Sequence, residues 1–334
     1  MKFNSIFVTG GAGYVGSSLV PDLLEKGYKV TVYDTMWFGD QFLPKQNKNL
    51  TVIKDDIRNT NNLKNACANH DVFLNLACIS NDTSYALNKE FSKSVNFDAF
   101  EPMVVAAKSS GIRRFIYAST SSVYGISEKK NVREDHPLVP LTLYNKYKGM
   151  CEPLLLKHTD KNFEGVIFRP ATVCGYAPRQ RLDVSVNILT NFAVNKDMIK
   201  IFGGDQLRPN LHIKDYCEVV DVLVNSESKK IKDQIFNVGY QNMSINQIAN
   251  LVKIVVEKLF PEKKIKVEKV PTDDNRSYHI NSDKIYQVLG FRPRRSIEDA
   301  VEDLCKAFKN GELPNSFEND YYFNVKQLKK INAK

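Results

Sequence analysis

Nowhere in its 334 residues does this chain hold an apolar run approaching the roughly 20 residues that span a bilayer. It also lacks any Cys-x-x-Cys pair or cysteine–histidine cluster. Its six cysteines, Cys67, Cys78, Cys151, Cys174, Cys217 and Cys305, are scattered. Such spacing argues against structural zinc, or any metal site, and against a secreted disulfide framework, and it suits small buried hydrophobic groups. Strand-like Ser5-Ile6-Phe7-Val8 follows Met1-Lys2 directly, so no secretory signal is expected and the chain reads as cytoplasmic, without a membrane partner. Internal repeats and low-complexity segments are missing too, as is any nucleic-acid-binding motif. The pairs Lys229-Lys230, Lys263-Lys264 and Lys329-Lys330 read as solvated faces. What remains is an ordinary globular composition, 43% hydrophobic and 25% charged, carrying a net charge of +9 that suits a polyanionic ligand.

Short apolar strands are predicted near 6–8, 30–33, 50–53, 72–76, 115–118 and 166–168, separated by helix-length stretches at 17–26, 61–69 and 99–110. This alternation predicts an α/β fold, a doubly wound parallel sheet with helices on both faces. Pro21 falls inside the first helix pattern and predicts a kink. Past Gly175 the rhythm weakens and a second lobe is expected, with a strand at 235–238 and an amphipathic run at 245–259. The expected division is a Rossmann-type dinucleotide-binding domain over 1–170, rejoined by segments near 210–250, and a smaller mixed α/β substrate lobe over 171–334. The polar, lysine-rich stretch 315–334 is expected to be loosely held.

Thr9-Gly10-Gly11-Ala12-Gly13-Tyr14-Val15-Gly16 follows the first strand and opens the first helix. Glycines there let the backbone turn tightly and approach a pyrophosphate, which rests on helix N-terminal amides. Asp34 ends the second strand at about the expected 20-residue separation. Its carboxylate would accept from ribose hydroxyls and repel a 2′-phosphate, favouring NAD over NADP. Tyr144 and Lys148 stand four apart in a helix-compatible stretch, and hence on one helical face. An ammonium beside a phenol favours the phenolate and lowers the tyrosine pKa, which prepares Tyr144 to take a proton.

With these motifs in order, the chain resembles the extended short-chain dehydrogenase/reductase superfamily, within it the NAD-dependent nucleotide-sugar epimerase/dehydratase family. The likeness runs from Ile6 to about Arg295. Asp55-Asp56-Ile57-Arg58, Asn75-Leu76-Ala77-Cys78, Ala118-Ser119-Thr120-Ser121-Ser122-Val123-Tyr124-Gly125 and Tyr144-Asn145-Lys146-Tyr147-Lys148 each resemble a family segment. The resemblance implies Thr120, Tyr144 and Lys148 as catalytic residues. It implies cofactor contacts at Gly10, Gly13, Tyr14, Val15, Gly16, Asp34, Asp56, Ile57, Ala77 and Lys148, with NAD as cofactor. Substrate contacts are implied at Thr120, Tyr144, Arg208 and Arg276, the arginines as diphosphate clamps, and at Thr172, where many relatives carry Asn. Ser80, after the fourth strand, is a further candidate. Ser119 competes with Thr120, Tyr147 reads as packing, and His212 as structural. Arg179 and Arg181 could face phosphate or solvent.

Members that dehydrate across C5 and C6 carry an Asp-Glu pair after the catalytic threonine, whereas this chain has Ser121-Ser122. Neither hydroxyl titrates near neutral pH, so 4,6-dehydration is disfavoured. The expected function is oxidation of a nucleotide-sugar hydroxyl at C4, ending in epimerisation or release of the keto sugar. A keto-sugar reductase and a non-catalytic dinucleotide-binding protein are the alternatives. The resemblance also implies a homodimer through helices near 96–110 and 144–157.

Overall fold

Strand alternation builds the larger layer. The computed structural model describes residues 3–127, 129, 131–272 and 277–333. Its strands are β1 Ser5–Thr9, β2 Lys29–Asp34, β3 Leu50–Lys54, β4 Val72–Asn75, β5 Arg114–Ala118, β6 Glu164–Pro170, β7 Thr172–Cys174, β8 Met198–Phe202, β9 Leu207–His212, β10 Gln234–Val238, β11 Gln241–Ser244 and β12 Lys266–Val270. Seven form one sheet in the order β10-β6-β5-β4-β1-β2-β3, every neighbouring pair parallel. Ile6, Val8, Val30, Val32, Leu74, Ile116, Val166 and Phe236 enter one buried cluster. The intervening Phe7, Tyr33, Phe73, Phe115, Tyr117 and Ile167 enter another. Because strand side chains alternate, both faces of this sheet are covered, as a parallel sheet requires.

Leu19, Leu23, Val219, Val220 and Leu223, from helices Tyr14–Glu25 and Ile213–Asn225, close the first face. Leu63, Met103, Val104 and Leu155 close the second from helices Thr60–Cys67, Phe100–Ser109 and Leu143–Leu156. β3 is an edge strand and leaves Val52 43% exposed. The expected α/β doubly wound sheet is therefore what forms, with β10 added beyond β6.

The remaining strands make two small sheets, β11-β9-β7 and β12-β8. Helices Ser185–Lys196, Ile245–Leu259 and Ile297–Lys309 pack around their own apolar cluster. Helix Ile245–Leu259 coincides with the amphipathic run and opens on a capping box between Ser244 and Gln247. Among the described residues no helix is long and apolar enough to cross a membrane.

Helix Tyr14–Glu25 holds Pro21 in its interior, where a kink is expected, and its hydrogen-bonded run extends four residues beyond it. One expectation, for the end of the chain, is corrected. The stretch expected to be loose is packed: Tyr322 and Leu328 are buried, and Gln327 Nε2, on helix Asn324–Lys330, donates to the Trp37 carbonyl at 2.6 Å. A few apolar side chains within a polar composition were enough to anchor it.

One buried ion pair joins the layers. Arg169 of β6 reaches Glu152 of helix Leu143–Leu156 as a fork, Nε to Oε1 at 2.9 Å and NH2 to Oε2 at 2.6 Å. Both side chains are 3% exposed. Ser119 Oγ donates to the same carboxylate at 2.6 Å, and Arg169 NH1 donates to Tyr124 OH at 2.6 Å. Removing Glu152 would leave a buried guanidinium without its counter-ion, which costs about 3–5 kcal/mol. Glu152→Ala is expected to lose that much in urea unfolding, and an unchanged midpoint would contradict the structural role given to the pair.

Candidate active site

The carboxyl ends of β1 to β6 surround a cavity of about 370 Å³. It lies where strand order reverses, between β1, which continues to β2 and β3, and β4, which continues to β5 and β6. Crevices at such switch points are where open α/β sheets bind ligands.

Gly10, with φ of 76°, leaves β1 so close to β4 that a Cβ would lie 2.6 Å from the Ala77 nitrogen. A Cβ on Gly16 would overlap the Gly11 carbonyl. Gly13 caps helix Tyr14–Glu25 with no side chain over its first turn, so the amides of Tyr14, Val15 and Gly16 have no intrahelical partner. Gly10, Gly13, Tyr14, Val15 and Gly16 all line the cavity. This cradle fits a dinucleotide pyrophosphate. The Tyr14 phenol donates to the Gly175 carbonyl at 2.7 Å and accepts from Asn187 Nδ2 at 3.1 Å, and burial holds it above the ordinary tyrosine range.

Asp34 also lines the cavity. Its Oδ2 accepts from Ala12 N at 3.0 Å and its Oδ1 from Met36 N at 2.8 Å, leaving a lone pair on each oxygen for further donors. Burial raises its pKa, while the Met36 and Ala12 amides pull the other way. Asp56, Ile57 and Ala77 line the same cavity. Asp56 is gripped by Arg58, NH2 to Oδ2 at 2.7 Å, so its carboxylate is already engaged within the protein.

Thr142 caps helix Leu143–Leu156, accepting from Asn145 N at 3.3 Å. Tyr144, Asn145 and Lys148 from this helix, with Thr120, Ser122, Cys78 and Asp82, line the cavity. Thr120 Oγ1 and Ser122 Oγ are 2.9 Å apart, and Ser122 Oγ donates to Asn145 Oδ1 at 2.5 Å. Ser119, the competitor of Thr120, has its hydroxyl committed to Glu152. Tyr147 packs between Tyr85 and Phe97, with ring centroids at 6.0 and 5.0 Å.

The expected electrostatic pairing differs. Lys148 Nζ donates to the Ala118 carbonyl at 2.5 Å and lies 4.5 Å from the Tyr117 ring centroid. Burial holds the Tyr144 phenol well above the ordinary tyrosine range, Cys78 and Asp82 push the same way, and Arg181 opposes them. Helical spacing put lysine and tyrosine on one face, but the ammonium turned to the end of β5.

Ser80 and Thr172 line the cavity. Arg208 stands outside its lining, NH1 donating to the Leu207 carbonyl at 3.0 Å and the guanidinium 5.3 Å from the ring centroid of Tyr278, a lining residue. Arg276 lies outside the described residues. His212 Nδ1 accepts from Lys214 N at 3.1 Å and caps helix Ile213–Asn225. Cys78 lines the cavity, whereas the Cys174 thiol is buried and pushed up to about 12.

Arg179 and Arg181 are buried in the cavity wall, not solvent-facing. Arg179 is 2% exposed and the Arg181 side chain 11%. Arg181 Nε meets Asp183 Oδ1 at 2.8 Å, and its NH1 donates to Ser80 Oγ at 3.3 Å. Sequence reading passed over Asn145, Asp183, Tyr216, Tyr278 and Asn324, all of which line the cavity. Asn145 stands inside the recognised helix motif and could have been found there; Asn324 is 244 residues from its partner Ser80 and had no local signal.

Arg181 opposes the burial of Tyr144, so Arg181→Gln raises the phenol pKa further. A base works only deprotonated, so the rising limb of a kcat/KM pH profile is expected to move to higher pH. An unmoved or lowered limb would contradict the coupling.

Residues 6–239 match the model of the NAD dependent epimerase/dehydratase family. A UDP-N-acetyl-alpha-D-glucosaminuronate decarboxylase of Bacillus cytotoxicus is 26% identical over 332 residues, covering 91% of this chain and 98% of that protein. A UDP-glucose 4-epimerase of Rhizobium meliloti is 24% identical over 322 residues, covering 90% and 96%. The structure of MoeE5 in complex with UDP-glucuronic acid and NAD shares the fold, with a TM-score of 0.78 at 24% identity over 92% of this chain and 100% of that one.

Proposed function

The chain belongs to the NAD dependent epimerase/dehydratase family, with NAD as its cofactor, and from that membership we propose that it oxidises the C4 hydroxyl of a nucleotide-diphosphate sugar. The product is a 4-keto sugar, either re-reduced on its opposite face, which makes the enzyme a 4-epimerase, or released, which makes it a C4 dehydrogenase. The observation carrying this reading is that Thr120, Tyr144 and Lys148 line one cavity with the glycine cradle, while Ser121 and Ser122 fill the two positions after Thr120.

Bound NAD supplies the hydride acceptor. Tyr144 Oη takes the proton of the sugar hydroxyl, and Thr120 Oγ1 orients that hydroxyl by a hydrogen bond. Lys148, which lines the cavity and whose Nζ donates to the Ala118 carbonyl, holds the nicotinamide ribose in this reading. The carbinol carbon thus loses a hydride and its oxygen a proton, leaving a carbonyl. Asp34 accepts from the adenosine ribose. Ser80 and Thr172 contact the sugar or its diphosphate, and Arg208 and Arg276 are the arginines assigned to the diphosphate. Ser121 is 1% exposed and Ser122 is tied to Asn145, so neither serves as the acid or base that would expel water. That disfavours 4,6-dehydration. Exposed Val105 and Met150, 46% and 40%, give helices Phe100–Ser109 and Leu143–Leu156 apolar surface for a homodimer. A monomeric mass in solution would remove that assignment.

Incubation with a panel of UDP-, GDP-, dTDP- and CDP-sugars should give a C4-inverted or 4-keto product from at least one, read by NMR. No such product from any of them would overturn the reading. Tyr144→Phe should abolish turnover while leaving NAD affinity within about twofold, since the lost hydroxyl serves proton transfer. Retained turnover would remove Tyr144 as the base.

A further inference from the structure

Arg179 carries a charge that the protein only partly answers. Its guanidinium lies 3.8 Å over the Phe38 ring, its NH2 donates to Asn324 Oδ1 at 2.8 Å, and its buried Nε has no hydrogen-bond partner. The backbone nitrogen of Arg179 donates to Ser17 Oγ at 3.0 Å, which ties it to the helix that opens on the glycine cradle. Phe38 lies in the segment just after Asp34, so this cation sits on the cofactor side of the cavity. Arg181 adds a second buried guanidinium whose NH2 is also without a partner. A buried donor left unpaired costs free energy, and an anion arriving in the cavity removes that cost.

The Arg179 fork is held in place by a residue far along the chain. Asn324 opens helix Asn324–Lys330 and is 5% exposed. Its Nδ2 donates to Ser80 Oγ at 2.8 Å while its Oδ1 accepts from Arg179, so both ends of its side-chain amide are engaged, and its backbone nitrogen donates to Asp183 Oδ2 at 2.9 Å. Gln327, one turn on, anchors the same helix to the Trp37 carbonyl. We propose that Arg179 binds the pyrophosphate of the dinucleotide through its unpartnered edge, and that Asn324 is the positioning residue that aims it. This rests on the reading that the cavity holds NAD. The helix Asn324–Lys330 thereby becomes part of the cofactor site, bridging the segments after β2 and β4 with the Arg179–Asp183 segment.

The test is a double-mutant cycle read by NADH binding fluorescence on nucleotide-stripped protein, with thermal melts confirming that each variant folds. Asn324→Ala is expected to weaken NADH and ADP-ribose binding at least tenfold. UDP, a probe of the sugar-nucleotide side, should bind within twofold of the parent. In the Arg179→Ala background the same substitution should cost less than twofold, because Asn324 acts through Arg179. NADH affinity within twofold of the parent overturns the inference, as does a loss that adds fully to that of Arg179→Ala, or a loss confined to UDP. If Asn324→Ala does not fold, Asn324→Asp keeps the shape and sets an anion beside the pyrophosphate; it should weaken NADH tenfold, and unchanged affinity overturns the proposal. A parent protein that binds no NADH would instead remove the cofactor reading itself.

Discussion

The active-site helix is held by one stripe of polar side chains set into an apolar layer. Tyr144, Lys148 and Glu152 follow each other at four-residue spacing, so they lie along one face of helix Leu143–Leu156. Glu152 is forked by Arg169 of β6 and accepts from Ser119, and Lys148 is tied to the carbonyl of Ala118 at the end of β5. Two of the three positions are therefore fixed by directional bonds inside a low-dielectric interior, where a misplaced charge is costly. The third, Tyr144, has its position dictated by the other two. Hydrophobic packing alone would let the helix slide or rotate by fractions of a turn. The ion pair limits that freedom, and Tyr144 lines the same cavity as Thr120.

The same burial sets the chemistry. It raises the Tyr144 phenol, the opposite of what the proposed base needs, and Arg181 supplies the opposing charge. Arg179 and Arg181 both stand buried in the wall, and burial together with Arg181 lowers Arg179 to about 9. Crowding two guanidiniums is unfavourable in the protein alone and becomes favourable when a polyanion enters. The cavity is thus built to be completed by a ligand that brings negative charge, in keeping with NAD and the proposed nucleotide-diphosphate sugar.

Much of this was legible in the sequence because it is local. Short apolar runs alternating with helix-length stretches marked the strands of the large sheet, and the glycine run and Asp34 marked the dinucleotide end. Tyr144 and Lys148 were found by helical spacing. What escaped depends on distance or on partner choice. Spacing cannot say that Lys148 will prefer a strand-end carbonyl to the phenol. Of the strands in the small sheets, β7 has three residues, and Gln241-Asn242-Met243-Ser244 has too few apolar residues to announce a strand. Asn324 and Gln327 lie in a polar stretch whose order comes from Tyr322, Leu328 and bonds to the far side of the molecule.

The central claim is that this geometry moves a hydride from a sugar carbinol carbon to NAD. It is tested most directly by single-turnover kinetics with a nucleotide sugar deuterated at C4. Reduced cofactor should form on the enzyme, more slowly from the deuterated than from the unlabelled substrate, with the deuterium recovered on the nicotinamide ring or returned to C4. Turnover with no reduced cofactor, no isotope effect and deuterium lost to water would contradict it.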